Sequence, residues 1–322
     1  MRRYLTVFLK LLATSSIFVA LPCLAIDMPT WAYPVNPPDF KPTPDDGTIR
    51  HVPDSAAGFT LTQLRDLYSA PDWHPEDHAK MPEIVARGRK PEVHACGFCH
   101  RADGPGGPEN ASIAGLPYAY IVQQMADYKS GARSTALPKR LPQALMISLS
   151  KKITDDEVAA AATYFSSLKP RSNIRVTETN SVPQTYVAGW FLADKKSTET
   201  EAIGQRIIEV PEHLEQFESR DTRATFIAYV PVGSVKKGEA LVAGKVPDKT
   251  PACATCHGAD FRGMDATPSI SGRSPSYVIR QLYELQAGIR AGSGAPLMKP
   301  VVDKLSLDDM ICIAAYLASL AR

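Results

Sequence analysis

Cysteine is scarce in this 322-residue chain, and most of what is present is already committed. Of six cysteines, Cys23 lies in an apolar N-terminal segment and four fall in two Cys-x-x-Cys-His pentads, which leaves Cys312 alone. No disulfide framework can be assembled from that remainder, so the stapled scaffolds common among small exported domains are excluded. Cys312 falls on the apolar face of a terminal helical pattern and reads as a core thiol. A surplus of either charge is also absent: 36 Lys and Arg face 34 Asp and Glu, a formal +2. Nucleic acid is therefore not an expected partner. Beyond residue 25 no apolar run is long enough to span a bilayer.

The N-terminal segment has its own pattern. Arg2, Arg3 and Lys10 precede an apolar run from Leu11 to Leu21, and Cys23-Leu24-Ala25 offers a small-residue cleavage site. This is the layout of a secretory signal peptide over 1–25, cut after Ala25. The run is short for a membrane anchor, and Pro22 stands where a lipoprotein signal would place a small residue. Losing three basic residues turns +2 into −1. The expectation is an exported, periplasmic protein without a membrane span in its mature form.

What the chain does contain is Cys96-Gly97-Phe98-Cys99-His100 and Cys253-Ala254-Thr255-Cys256-His257. Cys-x-x-Cys-His is the attachment signature of c-type haem. Both thiols form thioethers with the porphyrin, and the adjacent His reaches the iron as proximal ligand. A single pentad could be a redox Cys-x-x-Cys that happens to precede a His. Two, each followed by matching sequence, point to two covalently attached haem c groups.

The match is an internal repeat. An offset of 157 carries Cys96 to Cys253, Asp103 to Asp260, Ile113 to Ile270, Gly115 to Gly272, Tyr120 to Tyr277, Gln124 to Gln281 and Arg133 to Arg290. After a five-residue deletion, an offset of 152 carries Met146 to Met298, Ile153 to Leu305, Tyr164 to Tyr316 and Leu168 to Leu320. Repeats of this kind define homologous units. They divide the mature chain into a Pro-rich extension (26–78), a first haem domain (79–170), an insert with no counterpart upstream (171–235) and a second haem domain (236–322).

Within the extension, seven prolines between Asp27 and Asp54 predict an extended arm, and Trp31, Tyr33 and Phe40 give it surface with which to pack on a domain. Helical spacing predicts a short helix over Phe59–Tyr68. Asp72-Trp73-His74-Pro75-Glu76-Asp77-His78 resembles a metal site, but Pro75 breaks the one-face geometry that two histidines would need. Helices are expected over Tyr118–Lys129 and Ser276–Ala287, closed by Gly131 and Gly288. The final helix of each half starts at a capping box, Thr154-x-x-Glu157 and Ser306-x-x-Asp309. The insert has strand character at Ile174–Val176 and Thr225–Val232.

His100 and His257 are the proximal ligands, each expected to give its other ring nitrogen to a backbone carbonyl. Among the methionines, Met146 and Met298 are the aligned pair, placed in loops entering the last helix of each half, and are the candidate distal ligands. Arg133 and Arg290 follow the helix-closing glycines. They suit either salt bridges to haem propionates or a solvated surface, and their repetition favours the former.

These residues together resemble the tandem di-haem class I cytochromes c, in particular the cytochrome c4 group. The likeness is carried by the two pentads, the Ile-x-Gly, Tyr-x-x-x-Gln and Gly-x-Arg blocks, the paired methionines and the Ala-rich terminal helices, and covers a little over half of the chain. It implies an all-α fold of two class I cytochrome c domains in tandem, His/Met-ligated haems and one-electron transfer in the periplasm. The Pro that often precedes the middle helix is present as Pro268, while the first half has Ala111. The arm and the insert lie outside the pattern of the simplest members.

The expected function is an electron carrier, because a saturated iron offers no position for substrate. Its partners would be redox proteins, with a dehydrogenase as donor and a terminal oxidase or another cytochrome as acceptor. Two rivals remain at this point. One is a haem-bearing subunit of a periplasmic dehydrogenase. The other is a di-haem peroxidase, in which His51, His74, His78 or His94 competes for an iron.

Overall fold

The structure is a computed structural model that describes residues 27–322. The signal peptide expected over 1–25 lies outside the described residues. A 3₁₀ turn at Thr30–Ala32 opens the arm, which then runs without helix or strand to residue 49. The arm packs at its start, not along its length. Ala32 and Tyr33 are buried in the core of the C-terminal half, whereas Phe40 is exposed. α1 (Leu61–Arg65) is shorter than the spacing suggests, and a Thr60/Gln63 capping box starts it. Val52, Leu64 and Trp73 close a small core of their own there.

The first half contains α2 (Glu83–Ala86), α3 (Cys96–His100), α4 (Tyr118–Ser130), α5 (Leu141–Ser150) and α6 (Asp155–Ser167). Its core is built from Ile84, Val85, Val93, Ala114 and the inward stripe Val158, Ala161 and Phe165 of α6, with Leu168 just beyond its end. That stripe has the helical period expected of a face turned to a core. Thr154 and Glu157 make both bonds of a capping box at the start of α6.

Seven strands follow, with one short helix among them. They are β1 (Ile174–Glu178), β2 (Ser181–Pro183), β3 (Thr185–Ala188), β4 (Phe191–Asp194), β5 (Thr200–Ala202), β6 (Ile208–Pro211) and β7 (Phe226–Val230), with α7 (Leu214–Glu218) before the last. β7 is the centre of a three-stranded sheet. It pairs parallel with β1 and antiparallel with β6. The other strands form two-stranded ribbons, β2 with β5 and β3 with β4. An all-α description therefore holds for the two outer parts and fails for the middle. The strand-forming residues Ile174–Val176 and Thr225–Val232 had to pair with each other across the insert, and sheets are what close the backbone groups of such runs.

The second half comprises α8 (Ser234–Val242), α9 (Ala254–His257), α10 (Pro275–Gln286), α11 (Ala295–Val302) and α12 (Leu307–Ser319). α12 is the most buried element, with Met310 to Ala315 and Leu317 all in the core, and Cys312 is among them. Ser306 and Asp309 complete its capping box. Ile207 and Val230 of the strand region join the same core, so the middle segment is anchored on this half. No described helix is long and apolar enough to cross a membrane.

Candidate haem sites

Each pentad forms a short helix whose His is aimed from behind. His100 Nδ1 lies 2.8 Å from the Ala111 carbonyl oxygen, and His257 Nδ1 lies 2.8 Å from that of Pro268. The two acceptors correspond at the repeat offset, and Ala111 serves as well as Pro268 because the group used is backbone. A ring that donates Nδ1–H to a carbonyl keeps Nε2 as its free lone pair, the tautomer a metal ligand needs. Burial lowers the pKa of both imidazoles, with the carbonyl bond opposing it. Both are thus neutral near pH 7.

The thiols argue against a redox dithiol. Burial pushes Cys96 up to about 12 and Cys253 up to about 11, and raises Cys99. A reactive Cys-x-x-Cys has a depressed pKa. Cys96, Cys99 and Cys253 are shifted the opposite way, which fits thioether formation and not disulfide exchange.

Met146 and Met298 lie within helices α5 and α11, not in loops. Pro142 at the second position of α5 and Pro296 at the second position of α11 explain the difference. A proline in the first turn presents the φ that a helix needs and lacks only a donor that would be orphaned there. Both methionines are half-buried, and Met298 packs on the core that α12 dominates.

Arg133 is buried and Arg290 half-buried. They face each other in an isolated antiparallel bridge between the two halves. Arg133 donates to Gln124 Oε1 (2.8 Å) in its own half and to Gln281 Oε1 (2.8 Å) and Tyr277 Oη (3.3 Å) in the other. Arg290 mirrors this, with Gln281 Oε1 at 3.1 Å, Gln124 Oε1 at 2.9 Å and Tyr120 Oη at 2.7 Å. Every acceptor in this knot is neutral. Burial raises the Tyr120 phenol, but the charges of Arg290, Arg133 and Arg273 outweigh it and bring its pKa down. Arg133 Nε is buried without an acceptor. Neither guanidinium has a carboxylate among its direct acceptors, the buried Asp127 being reached only through the Gln124 amide at 3.1 Å, and anionic propionates would suit that positive charge. This is the observation on which the fit of haem to the site rests.

His74, Glu76 and Asp77 present ligand atoms within 4.8 Å of one another, and His74 is 1% exposed. Yet His74 Nε2 is 3.0 Å from Asp221, and Asp77 accepts from Arg223 at 2.9 Å and pairs with Arg171 at 2.6 Å. Guanidiniums take the acidic partners a cation would use.

Sequence reasoning passed over several residues at these sites. Gln124, Gln281, Tyr120 and Tyr277 carried a signal, since all four repeat at the offset. Arg220 carried none. It lies in the insert, yet its guanidinium carbon stacks 3.6 Å from the centre of the Phe98 ring, between the cysteines of the first pentad.

Comparison with known proteins agrees with this geometry. The family model for cytochrome c matches residues 235–321. Cytochrome c-554(548) of Halomonas halodenitrificans is 37% identical over 73 residues, 22% of this chain and 88% of that protein. Cytochrome c4 of Azotobacter vinelandii is 25% identical over 248 residues, 76% of this chain and 91% of the relative. A structure of thiosulfate dehydrogenase (TsdBA) from Marichromatium purpuratum superposes with a TM-score of 0.50 at 25% identity. It covers 73% of this chain, which in turn spans 38% of that one. A c-type cytochrome is the class that the paired attachment helices define. The chain belongs to the cytochrome c family as a cytochrome c4-like class I member, and its function is di-haem electron transfer.

Proposed function

We propose that the protein is an exported, periplasmic electron carrier with one haem c in each of two domains, spanning 79–170 and 236–322 around the strand-bearing insert. Cys96, Cys99, Cys253 and Cys256 hold the two groups as thioethers. His100 and His257 are the proximal ligands, Met146 and Met298 the distal ones, and Arg133 and Arg290 receive propionates. Haem iron with a thioether ligand supplies a one-electron couple of raised potential. The chain's own contribution is to fix the imidazole tautomer, exclude water and set charge beside each group. The observation that carries this reading is the pair of imidazoles held by equivalent carbonyls, Ala111 and Pro268, 2.8 Å away in both halves. With both distal positions filled by methionine, no substrate site is left, and a carrier is favoured over a peroxidase.

The partners are redox proteins, with a dehydrogenase as donor and an oxidase or a second cytochrome as acceptor. A second reading, a haem-bearing subunit docked on a dehydrogenase, is favoured by the likeness to the thiosulfate dehydrogenase structure, in which the matched part is a fraction of a longer chain. Purification with a catalytic subunit would select it.

The test is spectroscopic. Two haems per chain should survive acid-acetone extraction, and the oxidised protein should show the weak far-red band of methionine on Fe(III). Met298→Ala should remove about half of that band and open one iron to carbon monoxide or cyanide. A wild-type spectrum without the band would replace methionine by another ligand, and loss of both haems to the solvent would sink the reading.

A further inference from the structure

Arg220 adopts φ 62°, in the left-handed region. A residue with a side chain keeps that conformation only where its surroundings impose it, and such positions cluster at functional sites. Here the N-terminal extension imposes it from both flanks. Trp73 Nε1 donates to the Ser219 carbonyl at 2.7 Å, and His74 Nε2 lies 3.0 Å from Asp221 Oδ1. The residue between them is thereby turned onto the first pentad. Its Nη1 donates to the Phe98 carbonyl (3.0 Å) and its Nε to the Leu64 carbonyl (2.9 Å), so both acceptors are neutral. The guanidinium is layered between the Phe98 ring at 3.6 Å and the Trp190 ring at 5.9 Å. Phe98 is 2% exposed beneath it. Burial, with the Arg101 charge second, pulls the Arg220 pKa down to about 9, so the side chain stays charged at neutral pH.

The second pentad has no such cover. Thr255 stands at the place of Phe98, and both it and Cys256 are exposed. The loop from Arg101 to Glu109 is buried throughout, while its counterpart, residues 258–266, is largely open. A partly desolvated cation without a carboxylate among its hydrogen-bond partners favours any neighbouring site that gains an electron, because the Coulomb term is weakly screened there.

We propose that Arg220 is a positioning residue for the first haem, closing the Cys99 side of its attachment helix and holding that centre's reduction potential up. The proposal rests on the di-haem reading above. Its test compares Arg220→Met and Arg220→Lys with the unmodified holoprotein in spectroscopic redox titrations. Haem-methyl resonances with contacts to the Phe98 ring assign the first haem. Arg220→Met should shift that haem's one-electron equilibrium about tenfold towards the oxidised form, which is about 59 mV, and leave the other step in place. Arg220→Lys keeps the charge and should restore most of the difference, which a merely structural role would not do. Should Arg220→Met fail to retain its haems, Arg220→Gln keeps donors without charge and gives the same comparison. Two haems with neither step moved, both moved equally, or Lys falling with Met would overturn this proposal alone. Fewer than two haems in the unmodified chain would overturn the di-haem reading with it.

Discussion

At each Cys-x-x-Cys-His the residues proposed to hold haem could be named from the sequence because their chemistry allows no substitute. A thiol pair at that spacing followed at once by His has one dominant use, and the carbonyl behind each His needs no particular side chain. Charge pairing between distant segments was not legible in the same way, since nothing local in the sequence ties Asp77 to Arg171 or Arg223. In the structure, hydrogen bonds from Arg223 come first, ahead of Arg171, in holding the Asp77 carboxylate down to about 2 despite some burial. A depressed folded-state pKa means that the folded chain binds the proton less readily than the unfolded one. The stabilisation is therefore complete above about pH 4, the unfolded value, and is lost as pH falls towards 2. Thermal melts of the holoprotein at pH 5 and pH 2 should show a shallower acid loss for Asp77→Asn than for the wild type. Equal slopes would mean that this carboxylate does not join the N-terminal extension to the insert.

Among the elements, helices with a long apolar stripe were readable to within a residue or two, α6 and α12 from their capping boxes and α4 and α10 from the glycines that follow them. α5 and α11 were not, because a proline near each start reads as a loop when it is in fact a helix beginning. The contact of α8 with α12 hid for a different reason: it depends on the lack of a side chain. A Cβ built on Gly238 would lie 2.0 Å from the Cys312 carbonyl oxygen and 2.8 Å from the Tyr316 Cβ. Helix propensity alone would favour Ala over Gly by roughly 0.8–1.0 kcal/mol. Overpacking against backbone costs about 1–3 kcal/mol and cannot be relieved by a rotamer change. The second term should win, so Gly238→Ala is expected to lower the denaturant midpoint of the second half by an amount that corresponds to up to about 2 kcal/mol net. An unchanged or raised midpoint would show that α8 can move away from α12 freely.

Across the whole molecule, the repeat predicted two like halves but not how they meet, since one copy of a repeated motif says nothing of its distance from the other. They meet where the repeat pairs with itself. Gln124 Oε1 accepts from both Arg133 and Arg290, and so does Gln281 Oε1. Beside them the Ala291 N–H donates to the Ala132 carbonyl at 2.7 Å and the Ser134 N–H to that of Ile289 at 3.2 Å. Each carboxamide oxygen thus holds two like charges together, and neither can be removed without changing what the other must do. Replacing one Gln by Leu should leave guanidinium N–H groups unpaired, at about 1–3 kcal/mol for a buried donor. Replacing both should not cost the sum, because groups sharing partners couple by about 0.5–3 kcal/mol. A double-mutant cycle on Gln124→Leu and Gln281→Leu, read by denaturant unfolding of the holoprotein, measures that coupling. Additivity within about 0.3–0.5 kcal/mol would mean that the two halves touch at this knot without depending on it, and that whatever joins them electronically lies elsewhere in the interface.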